Sequence, residues 1–132
     1  MCGSSSTCSG TSLNLGYVSG DSYSDVARAT GSTSYWMKVV VGEDSWSGRP
    51  LRVRATLTSP PGTNYDLFIH TRSCSTATKS STKLTGDDVI SHSQPDATLG
   101  ADDDYLVMIE VRHVSGTCSA TEKWTLKVEG NR

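Results

Sequence analysis

Residues 60–70 read PPGTNYDLFIH and place a carboxylate, Asp66, and an imidazole, His70, four positions apart in a short apolar stretch. Such a pair is the core of an acid–base couple when the carboxylate orients the ring that carries the proton. If the stretch is a strand, Asp66, Phe68 and His70 share one face and Tyr65, Leu67 and Ile69 the other. The couple then needs a third partner, and His92 and His113 lie far away in sequence. The first set therefore reads as an outward surface beside a structural carboxylate, with Asp66 bonded to turn or neighbouring-strand amides and Phe68 and His70 open to solvent.

A second candidate is Gly20-Asp21-Ser22, a tripeptide of the kind that carries the nucleophilic serine of secreted esterases. That chemistry needs the serine on a strand-to-helix turn with an Asp and a His later in the chain, and no helical segment follows here. A turn in which Asp21 and Ser22 cap backbone amides is the simpler reading. No catalytic residue is assigned, and the chain is expected not to be an enzyme. Carboxylates cluster in turns at Asp21/Asp25, Asp87/Asp88 and Asp102 to Asp104 without the spacing of an EF-hand loop. Calcium is the one cofactor such turns could hold, with Asp21 and Asp25 as its candidate ligands.

The tryptophans offer binding chemistry of another kind. Trp46 stands in EDSWSG, a small polar turn in which nothing local accounts for burying it, so it either stacks on a ligand or folds back on its own hairpin. Trp36 lies opposite the Tyr35/Met37 face of its strand, whereas Trp124 reads as core. Trp46, Phe68, His70 and Trp36 are thus the candidate ligand-binding residues.

The elements that position these residues follow from a period-two pattern. SYWMKVVV puts Tyr35, Met37, Val39 and Val41 on one face, and PLRVRATLT puts Leu51, Val53, Ala55 and Leu57 inward with Arg52, Arg54, Thr56 and Thr58 outward. The alternation returns in DYLVMIEVRHV and EKWTLKVEG, with LNLGYV, DVARAT and DVISHS as shorter strands. No segment carries a capped apolar stripe of helical period. Seven to eight short strands joined by Gly, Asp, Ser and Pro turns predict an all-β, two-sheet antiparallel sandwich of jelly-roll-like type.

The 132 residues suit one domain, with 1–12 as a flexible Ser/Gly/Cys-rich linker and 13–132 as the sandwich. A formal charge of −2 gives no basic footprint for nucleic acid, and no apolar run approaches the ~18 residues of a membrane helix. Cys2, Cys8, Cys74 and Cys118 lack metal-site spacing and fit disulfides in an oxidising compartment. Of the three possible pairings the expectation is Cys2–Cys8 with Cys74–Cys118, the latter closing a loop of roughly 45 residues worth about 4 kcal/mol. MCGSSSTCSG has no apolar core segment, so the chain reads as a mature piece of a longer secreted precursor with an added Met1.

From Leu13 to Gly130 the chain resembles the bacterial pre-peptidase C-terminal domains, which are related to the collagen-binding domains of clostridial collagenases. The resemblance rests on the aromatic-led SYWMKVVVGED, on LRVRATLTSPPGTNYDLFI with its partial Asp-Tyr-Asp-Leu-aromatic signature, on DDVIS, and on the closing strands DYLVMIEV and WTLKVEG. It implies a non-catalytic jelly-roll module carried by a secreted bacterial protein and covalently linked to a catalytic domain. Calcium-binding relatives place carboxylates where this chain reads TSLNLG and GSTSYW, so their counterparts here are absent or displaced to Asp21 and Asp25. Asn64 replaces the first signature Asp, and Trp46 is outside the family pattern. The expected function is an accessory module tethering its parent to an extracellular polysaccharide or fibrous protein; the alternative is a spacer or folding and secretion aid without a ligand.

Overall fold

The computed structural model describes residues 3, 6–8, 10, 12–45, 48–95 and 104–132. Among these residues every regular element is a strand. In chain order they are β1 (Leu13–Ser19), β2 (Val26–Gly31), β3 (Tyr35–Gly42), β4 (Leu51–Thr58), β5 (Thr63–His70), β6 (Lys79–Ser81), β7 (Asp88–Gln94), β8 (Tyr105–Gly116) and β9 (Trp124–Gly130). They form a five-stranded sheet, β1-β3-β8-β5-β6, and a four-stranded sheet, β2-β9-β4-β7. The all-β sandwich expected from the alternation is therefore the fold, with two differences. β6 is an additional strand, three residues long and without an apolar side chain, and β1 runs parallel to β3, the other pairs being antiparallel.

Alternation becomes burial in the way period two requires. In β4, Leu51, Val53, Ala55 and Leu57 are buried while Arg52, Arg54 and Thr58 are exposed. β3, β5 and β8 send Met37, Val39, Val41, Tyr65, Leu67, Ile69, Val107, Ile109 and Val111 into the same core, which Trp124, Leu126 and Val128 of β9 close from the other sheet. The large rings keep their polar tips satisfied at the rim. Trp124 Nε1 donates to Thr33 O at 2.8 Å, Tyr65 OH to Ser32 O at 3.0 Å and Tyr105 OH to Leu51 O at 3.0 Å.

The chain passes from the four-stranded to the five-stranded sheet through Pro60-Pro61-Gly62-Thr63. Thr63 N donates to Pro60 O at 3.3 Å and Gly62 has φ 79°, a type II turn with Pro and Gly at its two central positions. Gly116 lies beside this turn, where an added Cβ would strike the Gly62 carbonyl.

The disulfide pairing differs from the expectation. Cys8 is bonded to Cys74, 66 positions away, with Cα atoms 5.9 Å apart. This excludes both Cys2–Cys8 and Cys74–Cys118. The reason is the antiparallel β5–β8 pair, in which His70 faces Met108 and Thr63 faces Gly116. Cys74 follows His70 and Cys118 follows Gly116, so the two cysteines leave opposite ends of the pair, roughly 25 Å apart at strand rise. A disulfide spans no more than about 7 Å between Cα atoms. Cys118 is itself disulfide-bonded, and no described cysteine is free; Cys2 lies outside the described residues.

Candidate functional site

Strand register builds the outer face of the five-stranded sheet. Trp36 on β3 faces Glu110 on β8, which faces Phe68 on β5; in the next row Lys38 faces Met108, which faces His70. Period two puts this whole set opposite the core. At its centre Glu110, with a side chain only 12% exposed, accepts from Arg112 Nε at 2.9 Å and Nη2 at 2.8 Å. That forked pair fixes the guanidinium over the Phe68 ring, with Cζ 4.0 Å from its centroid. The bond to Glu110 also raises the Arg112 pKa, so the cation persists at any working pH.

His70 belongs to this face but is 4% exposed. Its Nδ1 lies 3.1 Å from Ser73 O and therefore carries the proton. Nε2 is buried without a hydrogen-bond partner, 3.7 Å from Glu110 Oε1 and so too far from it for a hydrogen bond. The ring packs on Trp36 at a centroid distance of 4.9 Å and tilts by 52°. Cys8 and Cys74 line the same cleft as His70, Leu106 and Met108, and Ser6 Oγ accepts from Trp36 N at 2.7 Å. The expectation of an open His70 is thus corrected. Cys8 is pinned beside this cleft by its disulfide and Ser6 sits against the Trp36 backbone, while Trp36 packs on the imidazole. Phe68 is half-buried beneath Arg112, and Trp36 is half-buried beside Ser6.

Asp66 also departs from expectation. Oδ1 is buried with no hydrogen-bond partner, because Arg112, its cross-strand neighbour, is turned toward Glu110. Burial first, and then the negative charge of Asp88, raise its pKa, while Arg112 lowers it.

The turn after β1 holds the proposed metal ligands. Asp21 is buried, and its Oδ1 accepts from Ser22 Oγ at 2.8 Å, Asp44 N at 3.0 Å and Ser19 Oγ at 3.4 Å, while Oδ2 accepts from Ser45 N at 3.1 Å. Asp25 Oδ2 accepts from Ser19 N at 2.9 Å. Both carboxylates accept from backbone amides, the role expected of Asp21, whereas Ser22 Oγ donates to Asp21. Among the described residues no three of His, Cys, Asp and Glu come close enough to hold a metal ion. Trp46 lies outside the described residues.

With the geometry in place, known proteins supply a counterpart for the fold. A crystal structure of the pre-peptidase C-terminal domain of a collagenase from Bacillus anthracis superposes with a TM-score of 0.54, covering 89% of this chain and 93% of that one. It is a likeness of fold. Identity is 6%, and no family model and no curated protein matches the sequence.

Glu110 and Arg112 were not among the residues the sequence singled out. Their signal was Glu-x-Arg in a strand, which places opposite charges on one face two residues apart. Their meeting with Phe68 and Trp36 follows only from the register.

Proposed function

We propose that this chain is a non-catalytic accessory module of a secreted bacterial protein, of pre-peptidase C-terminal type. It holds a covalently linked catalytic domain against an extracellular polymer, polysaccharide or fibrous protein. The observation that carries the reading is the row Trp36–Glu110–Phe68, with Arg112 locked over Phe68. An aromatic face with one rigid, half-exposed guanidinium can stack on sugar rings or pack on a protein strand while donating hydrogen bonds. The fold likeness to a collagenase domain supports the linkage to a catalytic neighbour, and the disulfides support secretion.

A non-catalytic role agrees with the bonds of the reactive side chains. Ser22 Oγ donates to Asp21, His70 and His113 bond backbone carbonyls, and both His92 nitrogens are buried without partners. The burial of His70 and the cover on Phe68 favour, as the second reading, a spacer or folding aid without a ligand.

Pull-down on collagen fibrils and on cellulose and chitin, which are uncharged, separates the two. Tethering expects retention on at least one polymer and a tenfold or greater loss in Arg112→Ala and Phe68→Ala, with Trp46→Ala tested alongside. No retention on any polymer, or equal retention of all variants, would leave the spacer reading.

A further inference from the structure

The outer face of the four-stranded sheet carries a different chemistry. Its outward positions include Arg28 on β2, Lys127 on β9, and Arg52 and Arg54 on β4. Four cations thus meet one carboxylate within these strands, Glu129, on a chain whose formal charge is −2. Glu129 is shared between Lys127 at 3.7 Å and Arg132 at 3.6 Å. Among the described residues no carboxylate lies within ion-pair distance of Arg28 or Arg54, and Arg52 reaches only the amide oxygen of Asn131 at 3.1 Å.

The register sharpens the point. Arg28 is directly opposite Lys127, so two like charges project from Cβ atoms about 5 Å apart, an arrangement that costs stability unless an anion bridges it. Arg54 follows one strand over and one row along, about 7–8 Å diagonally from Lys127. The cations form an oblique band across three strands. Beside it runs the row Thr30–Thr125–Thr58, with Thr56 facing Lys127. Thr56, Thr58 and Thr125 make no side-chain hydrogen bond among the described residues, whereas Thr30 donates to Trp124 O. Arg28, Lys127 and these threonines line a cleft of about 530 Å³, together with the carboxylate of Asp87.

We propose that this face binds an acidic polysaccharide, whose carboxylates or sulfates seat on Arg28, Lys127 and Arg54 and whose hydroxyls pair with the free threonine hydroxyls. Charge complementarity selects a polyanion. The hydroxyl row suits sugars, and the absence of any aromatic side chain among the outward positions of these strands removes the stacking platform that single-stranded nucleic acid uses. Val26 and Val89, the outward apolar residues, stand on opposite edge strands and make no patch for a lipid surface. The surface is distinct from the Trp36–Phe68 face, so failure of the tethering test on uncharged polymers and collagen leaves this inference standing.

The test is chromatography of the intact chain on immobilised heparin and polygalacturonate, which separate sulfate from carboxylate recognition, with neutral dextran and single-stranded DNA as comparators. Retention on at least one acidic polysaccharide is expected, steeply weakened by salt and at least tenfold weaker in Arg28→Gln/Arg54→Gln. Both positions are exposed, so the variant should melt within a few degrees of the parent. Lys38→Gln/Arg72→Gln, the same charge change away from the Arg28–Lys127–Arg54 band, should bind as the parent does. No retention on either acidic polymer, equal loss in both double variants, or tighter binding to DNA overturns the proposal.

Discussion

Cys8→Ser/Cys74→Ser removes the one covalent link between the N-terminal segment and the β5–β6 loop while leaving the disulfide of Cys118 untouched. A cross-link across 66 positions restricts the unfolded chain by about 4 kcal/mol in the loop-entropy model. That compares with a total of roughly 5–15 kcal/mol for a domain of ordinary stability. The loss should be global, because the bond acts mainly on the unfolded state, but it should carry a local signature. Without the bond, Ser6 is held less firmly against Trp36 N. Guanidinium denaturation followed by far-UV circular dichroism should show the midpoint falling by an amount equivalent to 3–4 kcal/mol, within the usual range for disulfide removal. Hydrogen exchange at the Trp36 amide should accelerate relative to the Met37 and Val39 amides. A stability loss below about 1 kcal/mol, or unchanged protection at Trp36, would refute the account of this segment as a strap held by its disulfide.

Two further predictions concern carboxylates. Asp21→Ala strips four donors of their acceptor and should destabilise the domain by about 3 kcal/mol or more. Calcium or a chelator should leave the parent's melting midpoint unchanged, and a rise of several degrees with calcium would return Asp21 to the role of ligand. Asp66 has a pKa raised by burial, so the folded state holds its proton to higher pH than the unfolded state does. Its ionisation therefore lowers stability as pH climbs from the unfolded carboxyl pKa through the folded one. Asp66→Asn should remove that slope and be more stable than the parent at pH 7; a variant less stable at pH 7 would show that the carboxylate is compensated.

The architecture was legible wherever one face of a strand meets the core and the other meets water. Leu51-Arg52-Val53-Arg54 and Tyr65-Asp66-Leu67-Phe68 announce both their period and their inward set. β6 was invisible because Lys79-Ser80-Ser81 buries no apolar side chain; backbone pairing with β5 alone makes it a strand. The parallel β1–β3 pair was hidden for another reason. Which strands become neighbours depends on how β2 departs to the other sheet, a non-local choice that alternation does not encode. The cysteine pairing failed on the same account, since the end of the sandwich at which each loop emerges depends on pairing. For the candidate face, Phe68 and Trp36 were recognisable as outward aromatics, but the burial of His70 beside Trp36, the placing of Cys8 by the same cleft and the placing of Arg112 over Phe68 required the register and the disulfide.

The same disulfide has a mechanical consequence. A module that holds its parent to a solid polymer is pulled along its chain. With Cys8 joined to Cys74, tension entering ahead of Cys8 passes directly into the loop behind β5 and bypasses β1 to β5 altogether. The intervening residues cannot be drawn out while the bond is intact. At most the portion beyond Cys74 can extend, some 200 Å at full stretch against roughly 450 Å for the whole chain. The load also avoids β1, an edge strand that could be peeled from β3. In the oxidised protein the β1–β3 edge is thus kept out of the line of force.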